Sequence, residues 1–555
     1  MERYLNKMIK GEVVGEGAYG KVYLAQDSVL SSISSTDSPK YVVKRNIVER
    51  EVDWAANLRE PDILLRLRGH PNIVRLEKVI YGKPFESGRL SPTKENYKDD
   101  KLHFVMEMGD LDLGDLIQGT KTDKSPDYEI TFEDIKPIMI DTLLGLEYMH
   151  HNHIIHRDIK PGNILIFMNN LENDHNLYSS VKPFSRLTAK ICDFGLSKFY
   201  TLQEPQTPRM VTAWYRAPEI AMGAINYDYK VDVWALGCVI YEMVVGDSLI
   251  VSRDDNKMVL EQILNYLPER LPSKENRRLK ELFKVKLPRG RKKSFIKVLF
   301  PENTKEIFRE KVGSPESFVE ILKGMLEFYP DNRFTVSEIL DHPFFNDYKD
   351  YITYIRDKWM DKPHYSGFKE KETRITITDC LERKWGICTA FYFYNKNNEE
   401  RLEWYKPRIL FQAMNLFDRY LNYTNNPEND ILEKYECGNF SQREETEMRF
   451  VACIYISIKY FATLITPPPY TVMYEKLFQK ENSEEFVRIF EKEFLEKVLK
   501  YKIYLPTVFE YADLIGEKLS SLDIMNLIMA YGNCGSKTNM KLDDFYHELR
   551  ISTSL

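Results

Sequence analysis

The chain has 555 residues, enough for two to four folded units at ~100–200 residues per domain. Hydrophobic residues make up 43% and charged residues 29%, and with 25 glycines and 26 prolines the composition excludes a collagen-like chain and proline-rich disorder over most of the length. The 78 basic and 84 acidic side chains give a formal net charge of −6, which argues against bulk electrostatic binding to nucleic acid or anionic lipid.

Seven cysteines are scattered along the chain without a Cys-x-x-Cys pair, which argues against a disulfide framework and a structural zinc site. The first residues, Met1–Leu5, lack the apolar run of a secretory signal. The most apolar stretch, Val231–Val245, is shorter than the ~20 residues that span a bilayer, so it predicts a buried helix. We therefore expect an intracellular protein, in the cytoplasm or the nucleus, with no direct nucleic-acid partner and no membrane partner.

The first part of the chain alternates β-branched and aromatic runs with turn residues. This pattern predicts strands at 13–14, 22–24, 41–43 and 104–106. From Phe132 onward, apolar positions recur three and four residues apart, which predicts helices. The sequence thus indicates a strand-rich unit followed by a helical one.

A glycine-rich segment lies between two of these strands and reads Gly15-Glu16-Gly17-Ala18-Tyr19-Gly20-Lys21-Val22. Glycine allows backbone N–H groups to approach phosphate oxygens closely. Dinucleotide-binding folds use the same Gly-x-Gly-x-x-Gly spacing, but they begin a helix at the third glycine, whereas Lys21–Ala25 is typical of a strand. The segment therefore predicts a phosphate-binding loop between two strands.

Four further motifs follow in order along the chain. They are Tyr41-Val42-Val43-Lys44, His156-Arg157-Asp158-Ile159-Lys160-Pro161-Gly162-Asn163, Asp193-Phe194-Gly195 and Ala217-Pro218-Glu219. With the glycine-rich segment they resemble the signature set of the protein kinases, over residues 1 to about 345. The resemblance implies an α+β bilobal protein-kinase fold over 1–346, with an N-lobe of about 1–108 and a C-lobe of about 109–346, and it implies ATP and Mg²⁺ as cofactors.

The residue types suit phosphoryl transfer, which depends on positioning and charge neutralisation. Lys44 supplies a cation for the α- and β-phosphates, while Asp193 and Asn163 supply hard oxygen ligands for Mg²⁺. Asp158 can accept the proton of an attacking hydroxyl, and Lys160 is placed to meet the γ-phosphate. None of these positions is substituted, which favours an active enzyme over a pseudokinase.

The resemblance also implies the nucleotide contacts. Glu107 and Met108 correspond to the hinge that meets adenine, and Asp112 is placed for the ribose. The full set of expected ATP contacts is Gly15, Glu16, Gly17, Ala18, Tyr19, Gly20, Val22, Val42, Lys44, Glu107, Met108, Asp112 and Leu165.

Several residues near these motifs are predicted to be structural. His156 and Phe194 are interpreted as packing residues. Asp232 is expected to anchor the backbone of the catalytic loop. The resemblance implies that Glu219 and Arg333 form the buried structural ion pair of the family.

Within the protein kinases the chain is most similar to the cyclin-dependent kinases. The similarity is carried by the glycine-rich segment, by Trp214-Tyr215-Arg216-Ala217-Pro218-Glu219 and by His342-Pro343-Phe344-Phe345. Arg59-Glu60 stands where that family has the Arg-Glu of its regulatory helix, so Glu60 is expected to pair with Lys44. Pro61 departs from the family and predicts a helix that starts late, kinks or has another register, because proline lacks an N–H and clashes with the preceding turn.

The same resemblance implies regulatory residues. Thr207 is the expected phosphorylation site, and Arg59, Arg157 and Lys198 are the basic residues expected to receive its phosphate. Tyr19 matches the inhibitory tyrosine of the family.

The C-terminal half contains three amphipathic segments, at 408–421, 448–460 and 490–504. Their periodicity alone predicts a helical bundle. The motifs Asp418-Arg419-Tyr420-Leu421 and Ser457-Ile458-Lys459-Tyr460 resemble a cyclin box, which implies an all-α cyclin-like domain with Lys459 at its interface. The chain after the kinase-like part is thereby divided into a linker at 347–374, a cyclin-box-like domain at 375–505 and a helical extension at 506–555.

Together these features predict an ATP-dependent Ser/Thr protein kinase that carries its own activating subunit. The resemblance implies that Arg216 helps to accommodate a proline after the phosphorylated residue, and it therefore implies protein substrates with Ser/Thr-Pro sites. The cyclin-like domain is expected to act in cis, and action in trans stays open. Two alternatives also stay open: a kinase whose C-terminal domain is autoinhibitory or recruits substrates, and a catalytically inert scaffold.

Overall fold

The computed structural model describes most of the N-terminal two thirds of the chain and selected elements beyond it. The described residues are 8–17, 20–27, 41–46, 53–82, 101–119, 130–168, 186–200, 212–225, 227–252, 255–266, 271–285, 297, 299–300, 304–360, 374–377, 407–424, 442–461, 494–499, 527 and 537–541. Ala18, Tyr19 and Thr207 lie outside them, so the expectations for these three residues stay predictions.

The N-terminal lobe is built on an antiparallel sheet in the order β1-β2-β3-β5-β4. Its strands are β1 (Met8–Gly17), β2 (Gly20–Asp27), β3 (Tyr41–Asn46), β4 (Leu76–Gly82) and β5 (Lys101–Glu107). Successive side chains of a strand point to opposite faces. Val43 therefore packs against Ala25 and Val105 on one face, while its neighbours Val42 and Lys44 face a cleft. The four predicted strands are confirmed, and one helix, α1 (Asp53–Arg66), accompanies the sheet.

The C-terminal lobe is helical and has two long, largely buried helices. These are α3 (Phe132–His151) and α5 (Lys230–Val245), and Trp234 of α5 is 1% exposed. The apolar stretch predicted as a buried helix is thus α5, as expected. None of the described helices combines the length and the apolar character that crossing a membrane requires.

Shorter elements complete this lobe. They are β6 (Leu111–Asp112), α2 (Leu113–Gln118), β7 (Ile154–Ile155), β8 (Ile164–Met168), β9 (Leu187–Ile191), β10 (Lys198–Phe199), α4 (Pro218–Ala221), α6 (Asn256–Tyr266), α7 (Ser273–Phe283), α8 (Thr304–Lys311), α9 (Pro315–Met325) and α10 (Val336–Leu340). Strands β6, β8 and β9 form one small sheet, and β7 pairs with β10. The α+β bilobal arrangement expected for this part is confirmed.

Two predicted structural contacts are present. Asp232 accepts the backbone N–H of His156 at 2.9 Å and that of Arg157 at 2.8 Å, and so anchors the catalytic loop. Arg333 donates to both carboxylate oxygens of Glu219, at 2.8 and 3.0 Å, in the expected buried ion pair. These contacts tie the loop that carries the reactive groups to the core of the helical lobe.

The expected linker begins with a helix. Residues Lys349–Trp359 form α11, which packs against α3. Tyr351, Ile352 and Ile355 recur at helical spacing and are buried, while Arg356 forms an ion pair with Glu147 of α3 at 2.7 Å. The first half of the predicted linker is therefore an ordered part of the helical lobe.

The C-terminal region contains the predicted helices and two strands. The helices are α12 (Pro407–Thr424), α13 (Gln442–Phe461) and a short π-helix (Phe494–Leu499). The ring centroids of Phe417 on α12 and Phe450 on α13 lie 5.2 Å apart, so the two helices pack against each other.

The all-helical expectation for this region is wrong at two places. Arg374–Ile377 forms strand β11 and Lys537–Lys541 forms strand β12, and the two pair antiparallel. Ile375 and Ile377 are β-branched and lie two residues apart, a pattern that favours a strand. Strands therefore occur at the start of the expected cyclin-like domain and within the expected helical extension.

Candidate active site

A cleft of about 710 Å³ lies between the sheet of the N-terminal lobe and the helical lobe. Nine of the expected ATP contacts line it: Gly15, Gly20, Val22, Val42, Lys44, Glu107, Met108, Asp112 and Leu165. Lys160, Asn163 and Asp193 line it as well. Glu16 and Gly17 belong to the end of β1, and their side chains lie outside the described ones.

Lys44 joins the regulatory helix to the expected metal ligand. Its Nζ donates to Glu60 Oε1 at 2.6 Å and to Asp193 Oδ1 at 2.8 Å. Burial alone would lower the pKa of Lys44, but the two carboxylates outweigh it and hold that pKa above its ordinary value. Burial likewise works against ionisation of Asp193, yet Lys44 lowers the pKa of Asp193 to about 2. Both groups are charged at neutral pH, as the binding of phosphates and of a cation requires.

The carboxylate of Asp158 is held by three donors. Lys160 Nζ and Asn163 Nδ2 donate to Oδ2 at 2.7 and 3.0 Å, and Thr212 Oγ1 donates to Oδ1 at 2.7 Å. These bonds fix the carboxylate beside the cleft, where it can accept a proton from a bound hydroxyl. Thr212 is absent from the sequence predictions, because its contact with Asp158 joins parts of the chain that only the fold brings together.

The hinge glutamate is held by a second residue that the sequence predictions missed. Lys190 of β9 donates to both carboxylate oxygens of Glu107, at 2.8 and 2.9 Å, and the backbone N–H of Arg75 donates to Oε1 at 2.7 Å. The carboxylate of Glu107 is thus engaged within the protein, so its contact with adenine is expected from the backbone. Asp112, expected at the ribose, also caps α2 by accepting the N–H of Asp115 at 2.9 Å.

The oxygen donors of the cleft fit Mg²⁺ bound together with a nucleotide. Asn163 Nδ2 donates to the backbone carbonyl of Asp158 at 2.7 Å, which leaves the Asn163 carbonyl oxygen for a cation, and Asp193 adds a carboxylate. Within the described residues, no group of three or more His, Cys, Asp or Glu side chains is arranged to hold a metal by itself. Mg²⁺ commonly takes one or two carboxylates and completes its shell with phosphate oxygens and water. When bound, it neutralises charge on the phosphates.

Helix α1 carries Glu60 and continues through Pro61. The alternatives of a late start and another register are therefore wrong, since the helix begins at Asp53 and Glu60 reaches Lys44. Pro61 cannot donate a backbone hydrogen bond within the helix. Burial of Ile63 and its neighbours against the rest of the protein offsets that loss.

The basic residues expected around a phosphate are all buried. Arg59 lies on α1, Arg157 in the catalytic loop and Lys198 on β10. Arg157 Nε donates to the carbonyl of Leu196 at 2.7 Å. Thr207, their expected partner, lies outside the described residues.

Helix α13 of the C-terminal region contacts α1. Tyr460 Oη donates to Asp62 Oδ2 at 2.7 Å, and both side chains are fully buried. Arg66 also pairs with Asp62, with 3.0 Å between Nε and Oδ1. Burial, reinforced by Asp62, holds the pKa of Tyr460 well above its ordinary value, so the hydroxyl remains a donor. Lys459, the predicted interface residue, precedes Tyr460 in α13, and its side chain lies outside the described ones.

Comparison with known proteins agrees with this site. A family model described as "Protein kinase domain" matches residues 8–345. Mitogen-activated protein kinase 13 of Arabidopsis thaliana is 29% identical over 60% of this chain and 78% of its own length. Cyclin-dependent kinase 4 of Xenopus laevis is 32% identical over 62% of this chain and 93% of its own length. Cyclin-dependent kinase 10 of Mus musculus is 33% identical over 43% of this chain, and the match spans about half (54%) of that relative.

The family match covers more than half of the chain, and it contains every residue placed in the cleft. The family uses ATP and Mg²⁺, and the donors described above fit both. The chain belongs to the protein kinase family, as a Ser/Thr protein kinase related to the cyclin-dependent and mitogen-activated protein kinases.

Proposed function

We propose that this kinase is proline-directed and that its own C-terminal helices activate it in cis, in the manner of a cyclin. The observation that carries the proposal is the buried hydrogen bond of 2.7 Å from Tyr460 to Asp62. It joins α13 to the helix that carries Glu60, and Glu60 holds Lys44 at 2.6 Å. The C-terminal helices thus support the position of the helix on which the catalytic lysine depends.

The length of the connecting chain favours action in cis. Residues 360–373 separate α11 from β11, and a chain of that length spans at most ~50 Å. A short tether holds its two ends at an effective concentration on the order of millimolar. The C-terminal helices therefore need only modest intrinsic affinity for α1 to remain bound to it.

Each catalytic residue then has a defined role. Lys44 binds the phosphates, Asp193 and Asn163 hold the cation, and Asp158 takes the proton of the substrate hydroxyl. Lys160, which donates to Asp158 at 2.7 Å, lies next to that proton acceptor and can also meet the transferred phosphate. This arrangement positions the reacting groups and stabilises their charge, and these two effects supply most of the rate enhancement in phosphoryl transfer.

Replacing Tyr460 by Phe tests the proposal in the full chain. The substitution removes one buried hydrogen bond to a carboxylate and keeps the ring, so we expect kcat/KM on a Ser-Pro peptide to fall about tenfold and Tm to fall with it. Tyr455→Phe is the matched control, because Tyr455 is a buried tyrosine on the same helix. Unchanged activity of the Tyr460 variant would refute activation by these helices, and a rise would favour autoinhibition.

Dilution separates action in cis from action in trans. Activity per molecule should stay constant down to nanomolar enzyme if the contact is intramolecular, because the tether fixes the local concentration. Activity per molecule that falls on dilution, together with a falling mass, would instead show that the helices act on a second copy.

The expected preference for Ser/Thr-Pro sites is supported at Arg216. This side chain is 2% exposed, and its Nη1 donates to Asn256 Oδ1 at 2.6 Å. The bond fixes Arg216 at the position where the resemblance expects the substrate residue that follows the phosphorylated one. Proline has no N–H that would be left unpaired there. We expect kcat/KM for a Ser-Pro peptide to exceed that for the matched Ser-Ala peptide by about tenfold. Equal turnover of the Ser-Pro and Ser-Ala peptides would show that the kinase is not proline-directed.

The intracellular location expected from the cysteine pattern belongs to the same proposal. The described cysteines Cys192, Cys238 and Cys453 are free thiols. Burial raises the pKa of the Cys238 thiol above its usual range. Unpaired thiols are typical of reducing compartments, which supports a place in the cytoplasm or the nucleus.

A further inference from the structure

The loop at residues 67–75 connects α1 to β4. Helix α1 carries Glu60, which holds Lys44. The loop first continues the course of the helix, because the backbone N–H of Leu67 donates to the carbonyl of Ile63 at 3.0 Å. A displacement of the loop would therefore displace the end of α1, and with it the carboxylate that positions the catalytic lysine.

Strand β9 holds the second half of this loop. The backbone N–H of Val74 donates to the carbonyl of Ile191 at 2.9 Å, and the N–H of Ile191 donates to the carbonyl of Asn72 at 2.9 Å. The side chain of Asn72 adds a bond of 3.1 Å to the carbonyl of Ala189. These bonds fix the end of the loop next to β4, but they do not reach its start next to α1.

Aromatic rings hold the first half of the loop. The buried ring of His70 stacks on that of Tyr148 of α3, with centroids 4.7 Å apart. Trp359, the last residue of α11, meets both rings edge-on, at 5.4 Å from His70 and 5.6 Å from Tyr148. Such pairs contribute stability beyond the burial of their area. Because the family match ends at residue 345, the tryptophan comes from a helix outside the matched domain.

The backbone at Gly69 fits closely under the same tryptophan. Gly69 has a φ of 98°, a conformation that favours glycine. A methyl group built on Gly69 would lie 3.0 Å from Cη2 of Trp359, so a side chain there would press on the ring. The indole of Trp359 thus covers the backbone of the loop as well as the ring of His70. The start of the loop cannot move toward α11 without displacing this indole.

We propose that Trp359 is a positioning residue for phosphoryl transfer. Its ring holds the start of the loop at 67–75, so that α1 keeps Glu60 against Lys44. This role goes beyond activation by the C-terminal helices, because it requires only α11 and the two lobes of the kinase domain. Helix α11 is then a working part of the catalytic unit, although it lies in the segment expected to be a linker.

The test measures kcat, KM for ATP and Tm of the full-length protein with a saturating peptide substrate. Lys44 binds the phosphates, so its misplacement should appear in KM for ATP. We expect Trp359→Leu to raise this KM about tenfold, less than the ~10²-fold cost of a 1 Å displacement, because the ring acts through the loop. A merely structural role would lower Tm and the amount of folded enzyme, which lowers the maximal rate and leaves KM unchanged. An unchanged KM in the leucine variant would overturn the proposal.

Two further variants separate positioning from packing. Trp359→Phe keeps a smaller aromatic ring and should raise KM about threefold, which also serves if the leucine variant folds poorly. Phe308→Leu is the matched control, because Phe308 is a fully buried aromatic residue whose ring contacts include those of Phe132 and Phe318, at 5.5 and 4.8 Å. It should lower Tm and keep the native KM. An equal rise of KM in this control would show a general packing effect and count against Trp359.

A double-mutant cycle with Glu60 tests the route by which the ring acts. In a Glu60→Gln background, Trp359→Leu should change KM for ATP by less than about twofold, since the contact that it supports is already lost. A rise of about tenfold in both backgrounds would show that the two residues act independently, which contradicts the proposal. The Tyr460→Phe variant keeps the two proposals apart. If it retains full activity while Trp359→Leu raises KM, activation in cis fails and the role of Trp359 stands.

Discussion

Replacing Asp158 by Asn should lower kcat by about 10²–10⁴, the usual contribution of a positioned proton acceptor. The amide preserves the shape of the side chain but cannot take the proton of the substrate hydroxyl. Because Lys160, Asn163 and Thr212 hold this side chain at 2.7, 3.0 and 2.7 Å, the variant should keep its fold. Turnover of a Ser-Pro peptide with Mg²⁺-ATP measures the effect.

The control for this variant is Asp341→Asn. Asp341 is an exposed carboxylate paired with Arg356, and such pairs contribute little to stability. Its activity should equal that of the native protein. If the Asp158 variant turned over substrate as fast as this control, the proton would be accepted elsewhere. An inert scaffold would instead show no Mg²⁺-dependent ATP turnover even in the native protein.

Replacing Glu60 by Gln should lower kcat/KM by about 10²-fold. Glu60 is 1% exposed and accepts from Lys44 at 2.6 Å, so its loss lets the lysine move toward Asp193. A shift of about 1 Å in a positioning group can cost that much activity. The fold should survive, because Lys44 keeps Asp193 as a partner and is not left as an unpaired buried charge.

Glu133→Gln is the matched substitution on the surface. Glu133 pairs with Lys311 at 2.8 Å in solvent, and we expect no change in activity. Affinity for an ATP analogue, measured by calorimetry, should fall in the Glu60 variant and stay constant in this control. Full activity of the Glu60 variant would show that catalysis does not require the Lys44–Glu60 pair. It would also weaken the case for activation through α1.

Short motifs predicted the residues of the cleft because their chemistry is local in sequence. The neighbouring residues in the sequence identify Lys44, Asp158, Asn163 and Asp193, and the fold places all four at one cleft or beside it. Strand alternation and helical periodicity likewise predicted the two lobes. The course of α1 through Pro61 was not predictable, since local propensity disfavours it and burial decides it.

The contacts that the sequence did not predict join distant parts of the chain. The contacts of Thr212 with Asp158 and of Lys190 with Glu107 carry no local signal. Pairing of β11 with β12 is of the same kind, because each strand is short and its partner lies far along the chain. These contacts follow from packing, which one sequence by itself does not show.

The pairing of β11 with β12 makes a closed loop of the long stretch that holds α12 and α13. Arg374 lies opposite Lys541, and Ile377 lies opposite Lys537, so the stretch enters and leaves at neighbouring points. The entropy of closing such a loop grows slowly with its length, by about 0.6 kcal/mol for each doubling. Added or deleted residues between the helices therefore cost little, and relatives of this chain can differ widely in size there while keeping the same two points of attachment.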